Sequence, residues 1–331
     1  MNEIYPLKFK PQFLSKLWGG SNISKIDFLK DAPKDDCGEA WLLSGVENHQ
    51  SVVANGFLEG NELNELVEVY MADLVGEEVF EKYGEVFPIL IKMIDTNDWL
   101  SVQAHPDNEL AMKNHGIPFG KTEMWYILKA SENAALLNGF KKETYQDEIQ
   151  KSIKNNKLPE LLNNIKPLPE ETYFTPARKI HALGPGLTLL EIQQTSDFTY
   201  RLYDWGRTDN NGNPRELHID KGLDALNYED TSTGKMAPQK KDNISETLVS
   251  CPEFITNKIK LKPNCKVNRE YVILDSFVIL IATKGNAKYI FNDKKETLNM
   301  GECVLIPACI EEISIITEEN SAEILEIYIK I

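Results

Sequence analysis

A chain of 331 residues offers two or three domains' worth of material and ample length for a large core. Its 42% apolar and 26% charged residues are ordinary for a soluble protein, and a formal charge of −15 excludes a general nucleic-acid or membrane binder, whose partners are themselves anionic. An anionic small substrate stays compatible, because it needs only a local basic pocket.

The N-terminal residues lack the order of charged, apolar and small residues that marks a signal peptide. The longest apolar runs, near Phe277–Ala282 and Phe87–Ile91, are too short to span a bilayer. Five cysteines (Cys37, Cys251, Cys265, Cys303 and Cys309) form no Cys-x-x-Cys pair and are odd in number, which argues against a disulfide framework or a zinc–thiolate site. A reduced, cytoplasmic enzyme without membrane, nucleic-acid or obligate protein partner is expected.

In chain order, Leu7 to Val53 reads as strands and turns around Trp18-Gly-Gly20 and Cys37-Gly-Glu-Ala-Trp41. Residues 61–86 place Leu63, Leu66, Val67, Tyr70, Leu74, Val79 and Phe80 at helical spacing, predicting one or two amphipathic helices. Phe87–Ile94 reads as a buried strand leading into a motif strand at Leu100–His105. A second helical block is predicted over residues 131–168, from good helix formers at Thr144–Lys154 and Leu158–Ile165. It reads as an insertion ahead of a strand group at Tyr173–Gln193.

Residues 229–243, with Ser, Thr, Gly, Pro and a Lys-Lys pair, read as a linker. Beyond it, short strands are expected at Ile255–Leu261, Tyr271–Leu274, Phe277–Ala282, Ala287–Phe291, Glu302–Ile306, Ile313–Ile316 and Glu323–Ile329, as in a small antiparallel sandwich or barrel. Gly301–Ala308 echoes Glu171–Ala177, each a strand ending in Pro-Ala. The later copy lacks the histidine that follows the earlier one. The expected fold is mainly β with helical additions: residues 1–228 form a metal-bearing domain, 229–243 a linker and 244–331 a second β domain without metal ligands.

Two segments carry the chemistry. In Ser101-Val-Gln-Ala-His-Pro-Asp107, strand alternation sends Gln103 and His105 to one face and Val102 and Ala104 to the other. In Gly120-Lys-Thr-Glu-Met-Trp125 the same arithmetic groups Lys121, Glu123 and Trp125, with Thr122, Met124 and Tyr126 behind. Polar groups converging inside a sheet are costly unless partnered, and a metal ion is the simplest partner. His105, His181 and Glu123 offer two imidazoles and one carboxylate, an open set suited to zinc or a similar divalent ion, and Gln103 adds a fourth oxygen donor.

Other positions are weighed against blander roles. His115 reads as a helix-end or loop residue, His49 as exposed, and His218 as open either way. Glu191, a carboxylate in the apolar run Leu189–Gln193, reads as functional because it follows His181 so closely, with a structural ion pair as the alternative. Arg201 shares a predicted strand face with Tyr203. Arg207, Arg215 and Lys221 follow it, a basic cluster suited to phosphate, or else to ion pairs with Asp204, Asp209, Glu216 and Asp220. Trp18, Trp41 and Trp125 read first as core, although Trp18-Gly-Gly20 is loop-like and Trp18 is kept as a substrate contact.

The segments Gln103-Ala-His105-Pro-Asp, Lys121-Thr-Glu123-Met-Trp, Pro176-Ala-Arg-Lys-Ile-His181-Ala, Leu190-Glu191-Ile-Gln-Gln-Thr-Ser-Asp197 and Tyr200-Arg201-Leu-Tyr-Asp-Trp-Gly-Arg207 together resemble type I phosphomannose isomerases of the short bacterial form, over essentially the whole chain. The resemblance implies two cupin-like units and one zinc ion held by His105, Glu123 and His181, with Gln103 a further ligand. It implies an active-site Arg201, and Lys121 and Glu191 as catalytic or substrate-contacting groups. The implied reaction interconverts mannose 6-phosphate and fructose 6-phosphate through a cis-enediol. Rival readings are a metal-dependent isomerase of another sugar phosphate such as glucose 6-phosphate, a non-catalytic sugar-phosphate-binding cupin, and an iron-dependent cupin dioxygenase. The last would need more histidines than this ligand set has.

Overall fold

A computed structural model describes residues 3–208, 212–237 and 241–331. Its named strands pair antiparallel into four sheets, confirming a mainly β fold with few helices, and none of the sheets closes into a barrel among the described residues. The N-terminal six-stranded sheet runs Gln12–Gly20, Cys37–Leu43, Ile89–Thr96, Leu187–Gln194, Glu123–Ala130 and Thr172–Thr175. A five-stranded sheet runs Tyr200–Tyr203, Val102–Ala104, His181–Leu183, Leu136–Phe140 and Leu162–Ile165.

The C-terminal region supplies the other two. Its six-stranded sheet runs Leu7–Lys8, Cys303–Ile306, Val278–Lys284, Ala322–Tyr328, Ile255–Leu261 and Ser245–Ser250. Lys266–Glu270, Glu312–Ile316, Ala287–Phe291 and Lys294–Leu298 make a four-stranded sheet. The N-terminal strand Leu7–Lys8 thus pairs with Cys303–Ile306 rather than with its own sequence neighbours.

Alternation along the central strands explains the layering. Ile89–Thr96 and Leu187–Gln194 are buried throughout, so both of their faces are covered. On one face Ile91, Met93, Met124, Tyr126, Leu190 and Ile192 join Phe277, Ile279, Leu305 and Leu325 of the C-terminal region in a single apolar cluster. On the other, Trp18, Ile94, Trp125 and Leu189 pack with Leu136 and Leu183 of the five-stranded sheet. The predicted functional groups lie in this second layer. Behind the five-stranded sheet, Val102, Ala104, Ala182 and Leu202 pack against Ile149 and Leu223 from the helices Gln146–Lys154 and Ile219–Asp224.

The helices predicted in residues 61–86 are present as Leu63–Val75 and Glu77–Tyr83. The block at 131–168 is a correction. Only Gln146–Lys154 is α-helical, followed by a 3-10 turn at Leu158–Leu161, whereas Leu136–Phe140 and Leu162–Ile165 are paired strands. Local helix propensity there yields to cross-strand pairing that buries Leu136, Leu137, Phe140 and Leu162. In the C-terminal region Tyr271–Leu274 is not a strand; the strand precedes it, at Lys266–Glu270, and the Tyr271 hydroxyl turns inward to donate to Glu326 at 3.0 Å. Within the predicted linker, residues 238–240 lie outside the described residues. The preceding stretch is tied down: the Asp230 carbonyl accepts from Phe140 N–H at 3.0 Å and the Gly234 carbonyl from Phe174 N–H at 2.7 Å. All five cysteines are free thiols, and no helix among the described residues is long and apolar enough to cross a membrane.

Candidate active site

The motif strand ends where a helix begins. After Val102–Ala104, Pro106 stops the pairing and Asp107 caps the helix Asn108–His115, its side chain accepting from Leu110 N–H at 2.9 Å. His105 is held in this corner. Opposite it, Lys121 N–H donates to the Pro106 carbonyl at 3.0 Å. Gly120 permits that approach, since a Cβ there would sit 2.6 Å from the Asp107 carbonyl carbon. The chain then enters the strand Glu123–Ala130, with Glu123 facing His105.

His105, Glu123 and His181 are all buried, and their ligand atoms lie within 4.8 Å of one another. His105 Nε2 is 3.6 Å from Glu123 Oε2, and His181 Nε2 is 3.3 Å from Oε1. Each Nδ1 donates to a backbone carbonyl, of Phe198 at 2.7 Å for His105 and of Lys179 at 3.0 Å for His181. Both rings therefore present an unprotonated Nε2 inward. Burial, with the Lys121 charge beside it, holds His105 well below the usual imidazole range, and the same two causes push His181 down to about 3. Glu123 Oε1 is buried without a hydrogen bond, while Lys121 Nζ stands 2.7 Å from Oε2 in a buried ion pair. Two neutral imidazoles and a buried carboxylate with one oxygen left without a hydrogen bond fit a divalent cation. Gln103 Oε1 accepts from Ser101 Oγ at 3.0 Å, and its Nε2 is 3.3 Å from His181 Nε2.

Beside this cluster opens a cleft of about 290 Å³, lined by Gln103, Lys121, Glu191 and Arg201 together with Trp18 and Arg215. Its floor is a ladder of alternating charge. Lys121 Nζ is 3.8 Å from Glu191, Glu191 3.9 Å from Lys92, Lys92 4.0 Å from Glu39, and Glu39 3.5 Å from Lys16. Lys92 also pairs with Asp197 at 3.0 Å and lies 4.6 Å from the Trp41 ring centroid. Burial raises the Glu191 carboxyl above the usual range, against Lys121 and with help from Glu123. Burial disfavours the charge on Lys121, yet Glu123 and Glu191 outweigh it and hold the ammonium protonated. Lys92 is likewise kept charged, with Glu39, Asp197 and Glu191 overcoming burial.

Arg201 reaches the cleft as expected, but it does not share a face with Tyr203. The strand bulges between them, so Arg201 pairs with Gln103 and Tyr203 with Val102, whose side chain faces the apolar layer. Arg215 lines the cleft with its Nε donating to Asp204 at 2.7 Å. Arg207 instead grips Asp204 and the Trp99 carbonyl, and Lys221 is exposed on the helix Ile219–Asp224. Neither lines the cleft. The sequence reading also passed over Lys16, Glu39, Lys92 and Asp197. The available signals were a single lysine inside the apolar run Phe87–Ile94 and a lysine two residues before Trp18, on the same strand face.

A family model described as phosphomannose isomerase type I, catalytic domain, matches residues 7–119. The mannose-6-phosphate isomerase of Streptococcus mutans is 33% identical over 307 residues, 92% of this chain and 93% of its own. The crystal structure of mannose 6-phosphate isomerase from Bacillus subtilis matches with a TM-score of 0.82 at 31% identity, covering 97% of this chain and 99% of that one. A mutant phosphomannose isomerase from Salmonella typhimurium, at 16% identity and a TM-score of 0.78, covers 98% of this chain and shares the fold.

Proposed function

Since the chain belongs to the type I phosphomannose isomerases, a family of aldose–ketose isomerases, we propose that it interconverts mannose 6-phosphate and fructose 6-phosphate, with zinc, through a cis-enediol(ate). The observation that carries this is the buried His105–Glu123–His181 cluster set directly against Lys121 and Glu191. His105, Glu123 and His181, with Gln103 as a further ligand, would hold a zinc ion, which would supply Lewis-acid stabilisation of negative charge on the sugar oxygens.

Glu191 is the better base. Its carboxyl is raised towards neutrality, which suits removal of the C2 proton and return of a proton at C1. Lys121, kept protonated by Glu123 and Glu191, acts as a fixed cation beside the developing enediolate. Arg201 adds a second cation, and Arg215 meets the phosphoryl group while still braced by Asp204. Trp18 forms an apolar wall of the cleft. The two β regions, 1–228 and 244–331, correspond to two cupin-like units, of which only the first holds metal ligands. The enzyme works in the cytoplasm without an obligate partner.

The test is conversion of mannose 6-phosphate to fructose 6-phosphate by purified protein, before and after chelation and zinc restoration. Activity that disappears with chelation and returns with zinc is the expected result. A zinc-loaded protein inert on mannose 6-phosphate overturns the reading, and activity on glucose 6-phosphate alone reassigns the substrate.

A further inference from the structure

The helix Asn108–His115 begins on the metal motif and ends against the segment that completes the site. At its C-terminal end the His115 ring lies over Phe198, with centroids 3.9 Å apart and planes inclined by 11°. His115 Nε2 is 2.8 Å from the Tyr200 hydroxyl, which also accepts from Asn114 Nδ2 at 3.1 Å. The ring is thereby pinned in place. Phe198 joins none of the apolar clusters, and among the described residues His115 supplies the one aromatic ring it meets. Its backbone carbonyl is the group that accepts from His105 Nδ1–H at 2.7 Å.

We infer that His115 is a positioning residue for the metal centre: by stacking on Phe198 it fixes the carbonyl that sets the tautomer and orientation of His105. His115 does not line the cleft, so its action runs through Phe198. The same short segment carries Asp197, paired with Lys92, and Thr199, a cleft wall, so the stack steadies three groups at once. Partners of metal-ligating histidines change metal affinity by about 10–100-fold when removed. The inference rests on reading His105, Glu123 and His181 as the metal site.

The test is zinc affinity by chelator competition, with the visible spectrum of the cobalt-substituted protein as a report on ligand geometry. His115→Ala leaves the carbonyl itself in place, so it is expected to weaken zinc binding by about tenfold, the lower end of that range, and to alter the cobalt spectrum. His115→Phe keeps the stacked ring and should restore both. Phe198→Ala leaves the carbonyl but removes the stack, should match His115→Ala, and carries the test if that variant does not fold. Zinc affinity and cobalt spectrum unchanged in a folded His115→Ala or Phe198→Ala protein overturn this inference alone. A wild-type protein that binds neither metal overturns the metal-site reading and this inference together.

Discussion

Trp125 and Glu191 are cross-strand partners, and the Trp125 indole N–H donates to Glu191 Oε2 at 3.0 Å. This bond favours the ionised carboxylate, opposing the burial that raises its pKa. Trp125→Phe keeps an aromatic ring and deletes the donor, though it leaves a small cavity in the core, so the Glu191 pKa should climb further. The acid limb of the kcat/KM profile should then move to higher pH, with kcat down about tenfold. Glu191→Gln should lose about 100-fold or more in kcat with zinc content unchanged. A Glu191→Gln enzyme of near-normal turnover excludes Glu191 as the base.

Glu123→Gln preserves shape and removes the charge from the centre of the cluster. Metal content after dialysis should fall by about two orders of magnitude in affinity, and activity with it. Full zinc retention in this variant removes Glu123 from the ligand set.

The buried histidines give the metal-free protein a signed pH dependence. Their native pKa values lie below the ordinary value of 6.5, at about 3 for His181. Between 6.5 and that value the unfolded chain binds protons that the native state refuses, so stability falls as pH drops through this window. Above 6.5 both states are neutral and the contribution vanishes. Urea midpoints of zinc-free protein at pH 7.5 and pH 5 should show the loss, and His181→Gln should flatten it.

Arg215 faces the cleft, while Lys221 sits outside it. Arg215→Ala should raise KM for mannose 6-phosphate about tenfold with kcat little changed, the pattern of lost uniform binding. Lys221→Ala should match the wild type in both constants.

Phe277 is fully buried and its ring lies 4.6 Å from that of Phe87, joining the C-terminal sheet region to the N-terminal one. Phe277→Ala should cost about 3–5 kcal/mol in denaturant unfolding, from lost burial and the cavity it leaves. A smaller cost would mean that the shared layer repacks.

The candidate ligand cluster was legible because extended backbone alternates: Gln103 with His105, and Lys121 with Glu123, were expected on common faces, and they converge although His105 and Lys121 lie just outside the strands Val102–Ala104 and Glu123–Ala130. Arg201 with Tyr203 obeys the same rule until a bulge intervenes, and nothing in Tyr200-Arg-Leu-Tyr203 announces a bulge. Lys92 was overlooked because its three carboxylate partners come from separate strands and loops. Arg207 and Arg215 both grip Asp204, and only their placement, Arg215 on the cleft and Arg207 on the Trp99 carbonyl, separates them. Leu136–Phe140 and Leu162–Ile165 carry helix-compatible residues whose pairing partners are distant, so local propensity misled there.

The pairing of Leu7–Lys8 with Cys303–Ile306 has a bearing on how the molecule is made. Leu7 is made long before its partner Leu305, and the apolar layer beneath the N-terminal six-stranded sheet waits for Leu305 and Leu325. Closing a contact between residues as far apart in sequence as Leu7 and Leu305 is slow. The N-terminal sheet therefore reaches its final packing only after Leu305 and Leu325 have been made, and a nascent chain halted before residue 300 should leave that layer exposed to chaperones and proteases.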